Sequence, residues 1–192
     1  MTRLTSDEIR LLPHHTFSVK TPDKQTGQRF VMVFRRTWKK LPLEVRREIL
    51  RWWRQDGVGA QLWNQLVASG SMKACRVELR EQLDTETEAG CHTPEGLQFS
   101  LILFRQMPEE VAEGIIAHEL GHAFLCANGK GEEFSQQRRS DYQRDADAYF
   151  SDPEEIEVRK TTTLWGFDEK VIYRWIRHRE RQKTNTSKRK GI

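Results

Sequence analysis

Residues 108–126 read PEEVAEGIIAHELGHAFLC, and the centre, His118-Glu119-Leu120-Gly121-His122, decides how the rest of the chain is read. Two histidines four residues apart sit about 40° apart around a helix, so their imidazoles leave one face a turn apart. That spacing offers two of the four ligands of a tetrahedral zinc ion without bending the backbone. Glu119 lies between them and projects toward the same cleft, where it can act on a water activated by the metal. The flanks predict a helix. Pro108 suits its first position, and Glu109 and Glu110 suit the positive end of its dipole. Val111, Ile115, His118, His122 and Leu125 recur at helical spacing, which carries the histidines into the interior. Ala117 and Gly121 leave room for a neighbouring element to come close.

Working outward, Leu97–Arg105 (LQFSLILFR) alternates Leu97, Phe99, Leu101 and Leu103 and predicts a strand leading into that helix. A sheet edge beside the helix is a place where an extended peptide can be held by backbone pairing. Ala74–Arg80 alternates Cys75, Val77 and Leu79 against Arg76, Glu78 and Arg80, the pattern of a half-buried strand. Residues 81–96 read as an acidic loop. Its Cys91-His92 pair lacks the spaced partners of a zinc site, as does His14-His15. Arg29–Trp38 (RFVMVFRRTW) is dense in β-branched and aromatic residues and predicts a buried strand. Pro42–Gln55 predicts an amphipathic helix through Val45, Ile49, Trp52 and Trp53, and residues 60–68 a second one. The arginines among these tryptophans would suit a nucleic acid. Glu44, Glu48 and Asp56 interrupt that positive field, so a solvated basic face is the preferred reading.

Downstream, 135–151 predicts a helix carrying Tyr142, Ala146, Tyr149 and Phe150 on one face. Asp152 then caps a helix with Pro153 at its first position, closed by Gly166. Asp168 caps a last helix whose Val171, Ile172, Trp175 and Ile176 face the core. From Arg177 the chain is basic and without apolar content, and is expected to be disordered beyond Gln182.

The chain has 192 residues, 36% hydrophobic and 31% charged, with a net charge of +4. That suffices for one domain with a core. The expected organisation is a polar segment over 1–28, one domain over 29–176 and a basic tail over 177–192. The cysteines, Cys75, Cys91 and Cys126, are odd in number and irregularly spaced, so no disulfide framework is expected. No apolar run reaches membrane length and no apolar leader opens the chain, which predicts a cytoplasmic protein with no membrane partner.

A catalytic zinc site needs a third protein ligand and one open position. No histidine follows closely behind His122, so the third ligand should be a carboxylate. Asp145, Asp147 and Glu155 stand open as candidates. HELGH followed by a carboxylate on a later helix resembles the gluzincin group of zinc metallopeptidases. Within it, the chain looks most like the small ImmA/IrrE-type and phage-like metallopeptidases. Glu155-Ile156-Glu157-Val158-Arg159 followed by Trp165-Gly166-Phe167 matches their Glu-bearing helix, and the resemblance spans roughly 97–176. It implies Glu155 as third ligand beside His118 and His122, Glu119 as general base, and Zn2+ as cofactor. The implied fold is α+β and zincin-like: a small mixed or antiparallel sheet packed against the active-site helix and further C-terminal helices. On helix geometry Glu155, Val158, Thr162 and Trp165 share a face, and Glu157 lies about 200° from Glu155 and cannot join it. Glu155 also stands where a capping-box glutamate would.

The expected function is hydrolysis of a peptide bond in a protein or peptide substrate. Tyr142, Tyr149 and Arg139 are candidates to stabilise the oxyanion. The alternative is a zinc-stabilised regulatory or binding protein that does not cleave and works through a regulatory protein partner. A nucleic-acid-binding module ranks last.

Overall fold

The structure of this chain, a computed structural model, describes residues 17–20, 23–55, 75–83, 89–93, 96–130 and 146–190. In order the elements are β1 (Phe17–Lys20), α1 (Lys24–Lys40), α2 (Leu43–Gln55), β2 (Cys75–Arg80), β3 (Gly90–Thr93), β4 (Gly96–Ser100), α3 (Leu101–Gln106), α4 (Glu109–Ala127), α5 (Ala146–Ser151), α6 (Pro153–Leu164) and α7 (Lys170–Lys190). The chain is α+β and mostly helical, with one small mixed sheet in the order β1-β2-β4-β3. β1, β2 and β4 run parallel, and β3 pairs antiparallel with β4 at the edge.

Helix α4 is the centre of the molecule. It touches α1, α2, β3, α6 and α7, and every residue from Val111 to Gly121 is buried. A helix buried on all sides has to be apolar all round, and EEVAEGIIAHELGHAFLCA is nearly so. Of its charged side chains, Glu113 is held by Lys40 (2.6 Å) and Arg36 of α1. One hydrophobic cluster runs from Phe30 to Ile172 and joins α1, α2, the sheet, α4 and α7.

Residues 29–38 form a helix, not the predicted strand. Phe30, Val33, Phe34, Thr37 and Trp38 are the buried positions, at i, i+3, i+4, i+7 and i+8. Asp23 opens that helix, accepting hydrogen bonds from the backbone N–H groups of Gln25 (3.0 Å) and Thr26 (3.4 Å). The 3.6-residue period together with this cap outweighs the strand preference of Val and Phe. Regular structure therefore begins inside the segment read as a polar leader, since β1 and the start of α1 both precede Arg29.

The strand expected over 97–105 stops at Ser100. The Ser100 hydroxyl accepts from Leu103 N–H (3.3 Å), an N-cap that turns LILFRQ into α3. Arg29 then covers the far end of α3, donating to the carbonyls of Phe104 (2.9 Å) and Met107 (2.5 Å). β4 is thus an interior strand. Among the described residues the sheet edge beside α4 belongs to β3, within the stretch read as an acidic loop. α7 runs on to Lys190 where disorder was expected; its Arg, Lys and Gln are good helix formers.

The helices over 43–55 and 109–127, the strand over 75–80 and the Asp152 cap with Pro153 stand as expected. The helix expected over 60–68, residues 135–145 of the next one, and His14-His15 lie outside the described residues.

The helical register of α1 separates Phe30, fully buried and 5.0 Å from the Phe99 ring, from Met32, which is 63% exposed. In a strand the two would share a face. Phe30→Ala is expected to cost about 3–5 kcal/mol and Met32→Ala less than about 0.5 kcal/mol in urea unfolding. Comparable losses at both positions would contradict the helix.

Candidate metal centre

Three elements bring the site together. α4 supplies His118 and His122, whose ring centroids lie 5.0 Å apart. α6 supplies Glu155, and β3 closes over Glu119. The first two meet because Gly121 faces α6: a Cβ there would come within 2.9 Å of Val158 Cγ1 and 3.2 Å of Thr162 Cγ2. The helices therefore pack closer than any larger residue allows.

The sequence at the start of α6 aims Glu155. Asp152 accepts from the N–H groups of Glu154 (2.8 Å) and Glu155 (3.2 Å), fixing the first turn. The Glu155 carboxylate turns to the histidines, with Oε2 3.1 Å from His118 Nε2 and Oε1 3.5 Å from His122 Nε2. Ligand atoms on a tetrahedron of 2.0–2.1 Å zinc bonds are roughly 3.3 Å apart, so these separations suit one ion among the three. All three ligand atoms fall within 4.8 Å of one another. Glu155 Oε2 is buried and accepts no properly directed hydrogen bond despite the nearby ring nitrogen. A buried oxygen left in that state is costly, and a cation between the groups would satisfy it.

The outer nitrogens are also engaged. His118 Nδ1 lies 3.1 Å from Glu169 Oε1, and His122 Nδ1 lies 2.9 Å from Glu154 Oε1. A carboxylate on Nδ1–H fixes the ring and leaves the Nε2 lone pair for a metal. Four carboxylates, those of Glu119, Glu154, Glu155 and Glu169, thus gather around two imidazoles, an excess of negative charge that favours a cation.

Glu169 reaches His118 because of the turn ahead of it. Gly166 takes φ +87°, Gly166 N–H donates to Thr163 O (3.0 Å), and Phe167 N–H donates to Thr162 O (3.1 Å). This reversal closes α6 and brings Glu169 back over it, where Thr162 Oγ1 donates to Glu169 Oε1 at 2.5 Å. Neither Glu154 nor Glu169 was singled out from the sequence. Their partners lie 32 and 51 residues away, and only the turn at Gly166 hinted at where Glu169 would go.

Electrostatics follow from this crowding. Burial opposes charge on His118 and His122, but the carboxylates outweigh it: His118 is driven well above its usual value and His122 to about 9. Burial would raise Glu155, yet its two histidines hold it far below the carboxylate range. Glu119 goes the other way: burial raises it, and the histidines and a hydrogen bond from the His92 backbone offset that only in part. Burial likewise lifts the Tyr149 phenol, which sits 3.5 Å from His118 Nε2 and stays protonated.

Strand β3 sets the position of Glu119. A Cβ on Gly90 would come within 3.0 Å of Glu119 Cγ and Oε1. His92 packs its ring 5.3 Å from that of Trp52, and burial lowers its pKa to about 3. The Cys91-His92 pair stays out of the metal set. Cys91 is buried, with Sγ 3.8 Å from Gln98 Oε1. Glu157 points elsewhere, to Lys160 at 3.8 Å. Asp145, Tyr142 and Arg139 lie outside the described residues, as do the side chains of Asp147 and Cys75.

No protein-family model matches the chain, and no curated protein or solved structure is significantly similar to it.

Two outcomes are expected. In metal-free protein the raised His122 stabilises fully below about 6.5 and ceases to do so as pH rises through about 9. The lowered Glu155 stabilises above its ordinary 4.5 and ceases to do so as pH falls through its folded value. The melting temperature in chelator should therefore peak between these limits and fall from pH 6.5 to 9. Added zinc should remove that fall, and His122→Ala should lessen it, leaving the share that the raised His118 contributes. Second, Gly90→Ala should keep zinc content near wild type while displacing Glu119. Loss of zinc in that variant would show that β3 supports the ligands rather than Glu119.

Proposed function

We propose that this chain is a zinc-dependent metallopeptidase of zincin-like architecture, with His118, His122 and Glu155 holding the ion and Glu119 as general base. The observation that carries the reading is the convergence of both Nε2 atoms and the Glu155 carboxylate, with each Nδ1 already held by its own glutamate. A site that only stabilised the fold would have no use for a fourth, raised carboxylate beside the ligands. The resemblance to gluzincins of the ImmA/IrrE type agrees with this ligand set.

Zinc held there would supply a Lewis acid for a water molecule and for the carbonyl of the scissile peptide. Glu119 takes the water proton; its raised pKa moves it toward the working pH, where proton transfer is most effective. It then returns that proton to the leaving amine. The protonated Tyr149, one of the three candidates, donates toward the carbonyl oxygen as negative charge develops. Arg159 secures the region behind it: its guanidinium lies 5.7 Å from the Tyr149 ring and donates to Phe150 O (2.7 Å) and the Tyr173 hydroxyl (3.2 Å). Glu154 and Glu169 keep the two rings oriented.

The substrate lies along β3. Ala89 O accepts from Ser100 N–H (3.0 Å), so by alternation the backbone groups of Gly90 and His92 face away from β4. The His92 N–H is already given to Glu119, so an extended peptide would pair with the Gly90 backbone and the His92 carbonyl, on an edge with which no described strand pairs.

Glu119→Gln should retain one zinc per chain and lower hydrolysis of an unfolded protein substrate by about 10²–10⁴-fold. Glu155→Ala should lose the zinc. Tyr149→Phe should lower kcat by about 10²-fold with KM little changed. A wild-type protein that binds zinc and cleaves no more than Glu119→Gln would overturn the peptidase reading in favour of a non-cleaving zinc protein.

A further inference from the structure

The candidate centre leaves the far face of α7 unused. Residues 170–190 hold nine of the 32 Lys and Arg and one of the 28 acidic residues, so α7 carries +8 in a chain of net +4. Everything ahead of it sums to −4. The charge is also ordered in space. At 100° per residue, Lys170, Arg174, Arg177 and Arg181 fall within about 60° of one another along roughly 16 Å of axis, and Lys188 continues the same line. The first four are exposed. Among the described residues only Arg174 of these four has an acidic neighbour, Asp168 at 3.8 Å, itself exposed. The opposite face, Val171, Ile172, Trp175 and Ile176, is packed against the core.

We propose that this line of cations is a docking surface for the phosphate backbone of a nucleic-acid duplex. Three observations favour that partner. A single-sign row without apolar side chains suits a polyelectrolyte, whereas a protein partner would be anchored by buried aromatic or aliphatic groups. The apolar face of α7 is committed to the core, so the helix has nothing to insert into a lipid surface. The row also spans about five base pairs of duplex at 3.4 Å each, enough for several phosphate contacts on one side. Such contacts position without reading sequence, so binding is sequence-independent and holds the metal centre near nucleic-acid-bound proteins. The inference does not depend on the peptidase reading, since none of these residues touches the centre.

The test uses the full chain and a labelled duplex of about 20 base pairs of mixed sequence, followed by fluorescence anisotropy at several salt concentrations. Micromolar binding is expected at about 100 mM salt, with log K falling against log salt at a slope near −3.5. Arg174→Gln with Arg177→Gln and Arg181→Gln should weaken binding at least tenfold and make the slope shallower by about 2.5. That triple variant should keep the wild-type melting temperature and zinc content, and Glu119→Gln should bind the duplex as wild type does. Failure of the wild type to bind, or an unchanged slope in the triple variant, overturns the proposal. So does equal binding to polyglutamate, which would make the surface a generic cation patch. Preference for phosphatidylserine vesicles over the duplex also overturns it and reassigns the row to a membrane surface.

Discussion

The fold depends on a concentration of charge inside a helix packed on every side. α4 is apolar nearly all round, yet it carries His118, Glu119 and His122 in its buried part. Buried ionisable groups persist only when neighbours compensate them. The compensation comes from Glu155 at the start of α6, Glu154 beside it, and Glu169 just before α7. α6 and α7 therefore sit against α4 for electrostatic as well as hydrophobic reasons. The chain between them needs its reversal at Gly166 so that one carboxylate can return to His118.

Strand β3 contributes from the other side. It places a backbone N–H against Glu119, and Gly90 gives the clearance. The result is a carboxylate set apart from the others. Glu155 is held ionised by two imidazoles, whereas Glu119 is raised by burial. Residues of one type, a few ångströms apart, thus acquire different proton affinities from their surroundings.

Much of this was legible in the sequence, and the exceptions have physical causes. The pair His118 and His122, with Glu119 between them, is a local pattern whose spacing alone implies a shared face. Glu155 stood among three candidate carboxylates, and only a resemblance pointed to it over Asp145 and Asp147. In Phe30-Val31-Met32-Val33-Phe34 the composition favours a strand, whereas the period continued by Thr37 and Trp38 and the cap at Asp23 favour the helix that forms. The cap at Ser100 is masked in the sequence because Leu101 and Leu103 prolong the alternation of Leu97 and Phe99. β3 hides in an acidic stretch because an edge strand of four residues carries little pattern. Glu154 has no local signal and Glu169 only the reversal at Gly166, since what they do depends on residues more than thirty positions away.

The missing side chain at position 121 has a consequence for any ion that His118, His122 and Glu155 would hold. Two donors ride on α4 and the third on α6, so the gap between those axes works as a gauge for ionic radius. With only hydrogen at 121, the helices meet at a separation that suits a small, tetrahedral cation. One methyl would hold them apart, open the cage and tilt the preference toward a larger ion with more oxygen ligands. Selectivity at such a centre would be written as much in what residue 121 lacks as in the donors that surround it.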